Sequence, residues 1–294
     1  MGSSGGESRV KMRALVIDVA KCINCQNCVL STKDEHVGND FPGYAAAQPA
    51  GGVEWFTVKQ YTRGSGSMVD VAYVPMTCNH CDDAPCIKAA GDDSVYKRED
   101  GVVIIDPVKA RGRKDLVDAC PYGSISWNEQ AQLPQKWIFD AHLLDSGWAR
   151  PRCVQACPTG ALESLYEEAD VLSERVAREG LDVLRPDLGT RPRVFYRNLQ
   201  RAHRCFIGGN VFATTAKGRQ ENLAGAHIEL QLEGQAAQSA VTDSFGDFKI
   251  DGLLGDGREY SLWVRHADFS DAQRRGQLNE SENLGSIELV RAAL

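Results

Sequence analysis

The sequence has 294 residues, a hydrophobic fraction of 43%, a charged fraction of 25% and a formal net charge of -7. These values are typical of a globular chain long enough for two domains, each with its own core. The basic residues are scattered and no apolar run approaches the ~20 residues of a membrane-spanning helix, so we expect neither a nucleic-acid partner nor a membrane.

The N-terminal residues 1–12 begin with a glycine- and serine-rich stretch, and we expect them to be flexible. They lack the apolar segment and cleavage site of a secretory signal. We therefore predict a cytoplasmic chain, unless a partner subunit carries an export signal for both. In a reducing compartment, ten cysteines favour metal or redox use over a disulfide framework.

The segment RALVIDV (13–19) is apolar and β-branched, which predicts a strand leading into the first cysteine run, CINCQNC. A loop-rich section follows, punctuated by the turn sequences FPGY, PAGG and RGSGS. The second run, CNHCDDAPC, comes next. The two runs contribute six cysteines: Cys22, Cys25, Cys28, Cys78, Cys81 and Cys86.

Downstream, SVYKREDGVVIID (94–106) predicts a β-hairpin around an Asp-Gly turn. Helical spacing over 108–120 ends at Cys120, which is followed by proline, and a second Cys-Pro pair begins at Cys157. The segment EADVLSERVAREG (168–180) predicts an amphipathic helix ended by its glycine.

After Cys205 the composition changes, because the rest of the chain has no cysteine and alternates apolar with polar residues between turns. This pattern predicts a small β-sandwich over 206–294, with the domain boundary near 200–206.

The cysteines form two triplets and two remote Cys-Pro positions. Short spacing lets one loop supply three thiolates to a four-iron cluster while its backbone N–H groups face the sulfurs, and a distant Cys-Pro supplies the fourth ligand. Two complete four-thiolate sites are thus predicted. Eight thiolates could instead form two structural zinc sites, although zinc sites usually combine two cysteine pairs.

The order of CINCQNC, CNHCDDAPC, ACPYGSISW and RCVQACPTGAL resembles the ferredoxin-like electron-transfer subunits of the dimethyl-sulfoxide-reductase superfamily. The segments KDEHVGNDFPGY, AHLLDSGWARPRC and DLGTRPRVFYRNL, with the added β-domain, resemble the small subunits of pyrogallol–phloroglucinol transhydroxylases and anaerobic resorcinol hydroxylases. The resemblance implies an α+β fold. It comprises a bacterial-type two-cluster ferredoxin-like domain with insertions (13–200) and a small all-β, transthyretin-like sandwich (206–294).

The resemblance also implies how the cysteines pair. One [4Fe-4S] cluster would be held by Cys22, Cys25, Cys28 and Cys157. The other [4Fe-4S] cluster would be held by Cys78, Cys81, Cys86 and Cys120. These eight cysteines would be the only ligands of iron in the chain.

Two further clusters found in such subunits would be missing. One site would need cysteines at positions held here by Thr32, Trp137, Asp140 and Cys153, of which only the last is a thiol. The other would need them at Ala90, Ala110, Arg113 and Leu116. We interpret these changes as the loss of whole clusters, with Trp137 filling part of a vacated volume.

Other polar residues receive simpler interpretations. We expect His80 to fill space beside the second cluster more readily than to tune it by a hydrogen bond. His36 and His142 are interpreted as structural or interfacial. We expect Cys153 and Cys205 to be buried free thiols that behave as small apolar groups.

The resemblance implies a non-catalytic iron–sulfur subunit of a heterodimeric molybdenum enzyme that hydroxylates or transhydroxylates phenolic rings without oxygen. The substrate and a molybdopterin guanine dinucleotide with molybdenum would lie in a large partner subunit, and electrons would pass to or from an external carrier. The β-domain would contact that partner. Two alternatives remain open: a structural subunit with redox-silent clusters, and an electron-transfer subunit of another molybdenum oxidoreductase.

Overall fold

The computed structural model describes residues 10–292, and its chain divides into two compact units. The first unit runs to Gln60 and resumes at Tyr73–Leu199. The second unit comprises Tyr61–Ala72 and the chain from Gln200 onward. The sequence predicts residues 61–72 to be part of the first domain. The structure groups them with the second unit instead, because this segment is the tip of a long hairpin that clusters with the C-terminal strands.

The first unit is built around a three-stranded sheet and several short hairpins. Its central strand, β1 (Lys11–Asp18), is antiparallel to β8 (Leu162–Glu168) and parallel to β9 (Val194–Arg197). Strands of this unit and of the long hairpin are β1 (Lys11–Asp18), β2 (Thr57–Ser65), β3 (Met68–Met76), β4 (Val95–Lys97), β5 (Val103–Ile105), β6 (Ser126–Asn128), β7 (Leu133–Gln135), β8 (Leu162–Glu168) and β9 (Val194–Arg197).

Strand β1 is buried over most of its length because it lies between two neighbours. Ala14, Leu15, Val16 and Ile17 are fully buried, and burial of each large apolar side chain contributes about 1.5–3 kcal/mol. The strand predicted over 13–19 is confirmed. It begins at Lys11, so the prediction of flexibility is wrong for residues 11 and 12, while residues 1–9 lie outside the described part of the chain.

The helices are short and mostly follow or precede a cysteine run. They are α1 (Asn27–His36), α2 (Pro85–Ala90), α3 (Asp115–Asp118), α4 (Ala141–Asp145), α5 (Arg152–Gln155) and α6 (Ala169–Glu179). Helix α6 ends as predicted at Gly180, whose N–H bonds the carbonyl oxygens of Val176 and Ala177 in a left-handed cap. Among the helices of residues 10–292, none has the length and apolar character needed to cross a membrane.

The second unit contains two four-stranded sheets. Strands β10 (Cys205–Thr214), β11 (Gln220–Asn222), β14 (Asp247–Leu253) and β17 (Glu282–Glu288) form one; β12 (His227–Leu232), β13 (Gln238–Val241), β15 (Arg258–Arg265) and β16 (Ala272–Leu278) form the other. Alternate residues of both sheets enter one apolar core, including Ile207 of β10 and Leu262 of β15. The alternation expected after Cys205 therefore produces a two-sheet β unit with its own core.

Candidate metal centres

One cavity of the first unit, called cavity A below, is lined by four cysteines. Cys22 and Cys25 come from the loop that enters α1, Cys28 lies in the first turn of α1, and Cys157 comes from the turn after α5. The loop turns sharply because Asn24 and Gln26 adopt left-handed backbone conformations, with φ of 58° and 62°. Cys25 is exposed and Cys28 is buried, so cavity A lies at the surface of its unit.

The thiols of cavity A are electrostatically coupled. Burial raises the pKa of Cys28 to about 12, and the neighbouring Cys22 adds to this increase. Burial also raises the pKa of Cys22, while the backbone N–H of Asn24 opposes the increase. A bound cation would favour the thiolate form of these two cysteines, and the N–H group of Asn24 would stabilise the charge on Cys22.

A second cavity, called cavity B below, is lined by the other four predicted cysteines. Cys78 and Cys81 belong to the loop before α2, Cys86 lies in α2, and Cys120 follows α3. Proline at the first position of α2 favours a helix start directly beside Cys86. Three of the four cysteines are buried, so cavity B is better shielded from solvent than cavity A.

Hydrogen-bond donors surround the cavity B sulfurs. Burial raises the pKa of Cys81 to about 12 and that of Cys86 to about 11. The hydroxyl of Thr190 opposes the increase at Cys81. Burial likewise raises the pKa of Cys120, against which the backbone N–H groups of Tyr122 and Ser124 act. Such donors offset negative charge on metal-bound thiolates.

Three buried polar side chains also line cavity B: Asn79, His80 and Lys136. The Nδ1 atom of His80 accepts a hydrogen bond of 3.0 Å from the N–H of Val103. Burial, followed by the charge of Lys136, holds the pKa of His80 well below its usual value, so its remaining proton lies on Nε2. That Nε2 atom has no hydrogen-bond partner among the described residues.

The donor sets fit iron–sulfur clusters. Each cavity presents four soft sulfur ligands, three from one short stretch of chain that runs from a loop into a helix and one from a distant Cys-Pro turn, which is the ligand type such clusters require. Within residues 10–292, no group of three or more Cys, His, Asp or Glu side chains is gathered as the ligands of a single metal ion. A structural zinc site would need four such side chains around one ion, with each cysteine sulfur ~2.3 Å from the zinc.

The four positions Thr32, Trp137, Asp140 and Cys153 are all buried. The Nε1–H of Trp137 donates to Asp140 Oδ1 at 3.3 Å, and His36 Nε2 lies 3.3 Å from the same oxygen. Thr32 Oγ1 donates to the carbonyl of Cys28 at 2.8 Å. Burial, with Asp140 nearby, raises the pKa of Cys153 well above its usual value. A hydrogen-bonded, aromatic-lined network occupies this region.

The second set of positions is mainly apolar. Ala90, Ala110 and Leu116 belong to one core cluster that also includes Cys81 and Cys86. The fourth position, Arg113, is partly exposed; its guanidinium pairs with Asp115 at 2.8 Å and donates to the carbonyl of Ala90 at 3.3 Å. The structure therefore has a packed side-chain cluster in this region.

The remaining candidates have structural contacts. The Nε2–H of His142 donates to the Glu35 carboxylate at 2.9 Å, and the ring of His142 stacks on Phe41 with ring centroids 3.8 Å apart. Cys153 is fully buried, as expected. Cys205 is only partly buried because it opens β10 at the margin of the second core, so the prediction of burial is wrong for this thiol.

Comparison with known proteins gives consistent matches. The 4Fe-4S dicluster domain family matches residues 69–166. The pyrogallol hydroxytransferase small subunit of Pelobacter acidigallici is 41% identical over 94% of this chain and 98% of its own length.

Two further relatives match this chain at lower identity. A tetrathionate reductase subunit of Salmonella typhimurium is 33% identical over 71% of this chain and 77% of its own length. The arsenate respiratory reductase iron–sulfur subunit of Shewanella sp. strain ANA-3 is 28% identical over 62% of this chain and 94% of its own length. Each of these two relatives matches a smaller share of this chain than the Pelobacter acidigallici subunit does.

Proposed function

The chain belongs to the family of iron–sulfur electron-transfer subunits of molybdenum oxidoreductases, and we propose that it serves a heterodimeric enzyme that hydroxylates or transhydroxylates phenolic rings without oxygen. The observation that carries this proposal is the end-to-end similarity to a pyrogallol hydroxytransferase small subunit, which spans the second unit as well as the first. The relatives from tetrathionate and arsenate reductases match less of this chain.

We assign one [4Fe-4S] cluster to each cavity. In cavity A the ligands are Cys22, Cys25, Cys28 and Cys157, and in cavity B they are Cys78, Cys81, Cys86 and Cys120. When bound, such clusters accept and release one electron at a time. The chain supplies the thiolates, aims backbone N–H groups at them, and shields cavity B more than cavity A.

The partner in this proposal is a large catalytic subunit that holds molybdenum on a molybdopterin guanine dinucleotide and binds the phenol. The relative from Pelobacter acidigallici, which is named a small subunit, supports such a pairing. Electrons would leave to, or arrive from, an external carrier in the cytoplasm. We further propose that the first unit is a ferredoxin-like α+β domain and that the second is a transthyretin-like β-sandwich contacting the large subunit.

The test is metal analysis of the complex purified anaerobically from its native source, followed by rapid mixing with resorcinol or pyrogallol. We expect about eight irons per copy of this chain from two four-iron clusters, together with one molybdenum per complex. Cluster absorbance should bleach within one turnover when resorcinol is the electron donor. Zinc without iron would overturn the proposal, and clusters that stay oxidised throughout turnover would indicate a structural subunit instead.

A further inference from the structure

Lys136 is an unusual buried lysine in the first unit. It directly follows β7 and is only 2% exposed. Its Nζ donates to two backbone carbonyl oxygens, those of Val103 and Trp137. No carboxylate among residues 10–292 lies within ion-pair distance of it, although most other buried or half-buried cations of this unit, such as Arg193 with Asp82, have one.

The side chain of Lys136 lines cavity B together with the four cysteines. Cavity A differs: the residues of the described chain that line it include no charged side chain. The two otherwise similar cavities are therefore unequal in local charge.

A buried ammonium without a counter-ion is costly, and it is retained where another negative group lies within reach. An ammonium has three N–H donors, and two of these are used by the carbonyls of Val103 and Trp137. Once iron is bound, the cysteine thiolates supply negative charge in the same cavity that the Lys136 side chain lines.

We propose that Lys136 is the counter-ion of the cavity B cluster and sets its reduction potential. This inference rests on the proposed function, because it requires a cluster in cavity B. Uptake of one electron adds one negative charge beside the ammonium, inside a cavity where solvent screens it weakly. The ammonium stabilises the reduced form and so raises the potential of cavity B relative to the same site without it.

The test is an anaerobic redox titration of the full, iron-loaded chain with dithionite and mediators, followed by electron paramagnetic resonance. The signal that disappears in a Cys86→Ala variant is assigned to cavity B. In Lys136→Met, we expect this signal to titrate at lower potential. At a fixed potential the ratio of reduced to oxidised cavity B cluster should fall about tenfold, which corresponds to a midpoint potential lower by about 59 mV for a one-electron couple. The cavity A signal should not move.

Two variants separate charge from packing. Lys136→Arg keeps the positive charge and should keep the potential close to that of the parent chain. Lys88→Met is the matched control, because Lys88 lies in α2 two positions from Cys86 but is exposed. Solvent and salt screen such a charge, so Lys88→Met should leave both signals in place.

The outcomes distinguish this inference from the proposed function. If the parent chain shows two cluster signals and Lys136→Met moves neither, or moves both equally, the inference is wrong and the cluster assignment stands. If the parent chain binds no iron that depends on Cys86, the proposed function fails first. If Lys136→Met loses the cavity B cluster, retention in Lys136→Arg supports the counter-ion, whereas loss in both variants shows that the lysine only packs.

Discussion

At the scale of single residues, burial lowers the pKa of two histidines of the first unit, His80 and His142. The pKa of His142 is lowered from 6.5, mainly by burial and further by the nearby His36, although its hydrogen bond to Glu35 opposes this. Phe41 stacks on one face of its ring. A proton is therefore bound more readily by the unfolded chain than by the folded one.

This arrangement predicts a pH dependence of stability. Because the folded-state pKa of His142 lies below the unfolded value of 6.5, the free energy of unfolding should fall as pH is lowered from above 6.5, until the folded-state pKa is passed. In a His142→Gln variant this part of the pH dependence should disappear. Urea denaturation of the iron-loaded chain between pH 5 and pH 7.5 measures it.

The control for this experiment is His227→Gln, since His227 is exposed in the second unit. It should keep the pH dependence of the parent chain. If His142→Gln and the parent chain lose stability in parallel between pH 7 and pH 5, other groups carry the effect and the role given to His142 is wrong.

At the scale of elements, the hairpin β4–β5 places the polar groups of cavity B. Its register pairs Lys97 with Val103. The backbone of Val103 then binds two polar side chains that line the cavity, since its N–H donates to His80 and its C=O accepts from Lys136. The β4–β5 hairpin therefore helps to hold His80 and Lys136 in place beside the cavity B cysteines.

The turn glycine of this hairpin predicts a measurable loss of stability. Gly101 has a φ of +86°, and a Cβ there would lie 2.9 Å from Arg193 Nε, which donates to Asp82 at 2.7 Å. Gly101→Ala should lower the free energy of unfolding by about 1–3 kcal/mol, from backbone strain and the displaced guanidinium. The midpoint of urea denaturation measures this change.

Gly112→Ala is the matched control. Gly112 also has a positive φ, +77°, but nothing lies within 4 Å of a Cβ built there. This variant should carry the backbone strain alone, about 1 kcal/mol. Equal losses in the two variants would mean that the approach to Arg193 contributes nothing.

The elements that could be predicted from the sequence have local signals. The 94–106 hairpin and helix α6 carry an Asp-Gly turn and a terminal glycine, and both predictions are confirmed. The helix predicted over 108–120 is wrong for most of its length: only Asp115–Asp118 is helical, because Gly112 turns the chain in a left-handed conformation. The alternating strands β2 and β3 were missed inside a region interpreted as loops.

At the scale of the whole molecule, the candidate ligands were easier to predict than their surroundings. Cysteine spacing is a local property, so all eight residues could be named from the sequence, and they line two cavities in two groups of four. The counter-ion could not be predicted. Lys136 becomes buried beside cavity B only because folding brings it to Val103, 33 positions away in the chain.

Removal of iron should affect the two units differently. The eight cysteines of the cavities belong to the first unit, whereas the second unit has a core of its own without them. Because metal binding contributes directly to folding, chelation should lower hydrogen-exchange protection in peptides from 13–60 and 73–199, most strongly around α2 and α5. Peptides from 206–292 should keep their protection.

Mass spectrometry of deuterium uptake, before and after iron removal by a chelator, measures this difference peptide by peptide. A Cys205→Ser variant is the control, because that thiol lies in the second unit and outside both cavities; it should retain the iron content of the parent chain. Equal loss of protection in peptides from 206–292 would contradict the prediction, since it would mean that the β unit depends on the metal centres for its folding. Unchanged protection around α2 would show instead that cavity B keeps its structure without metal, and that its thiols are held by packing alone.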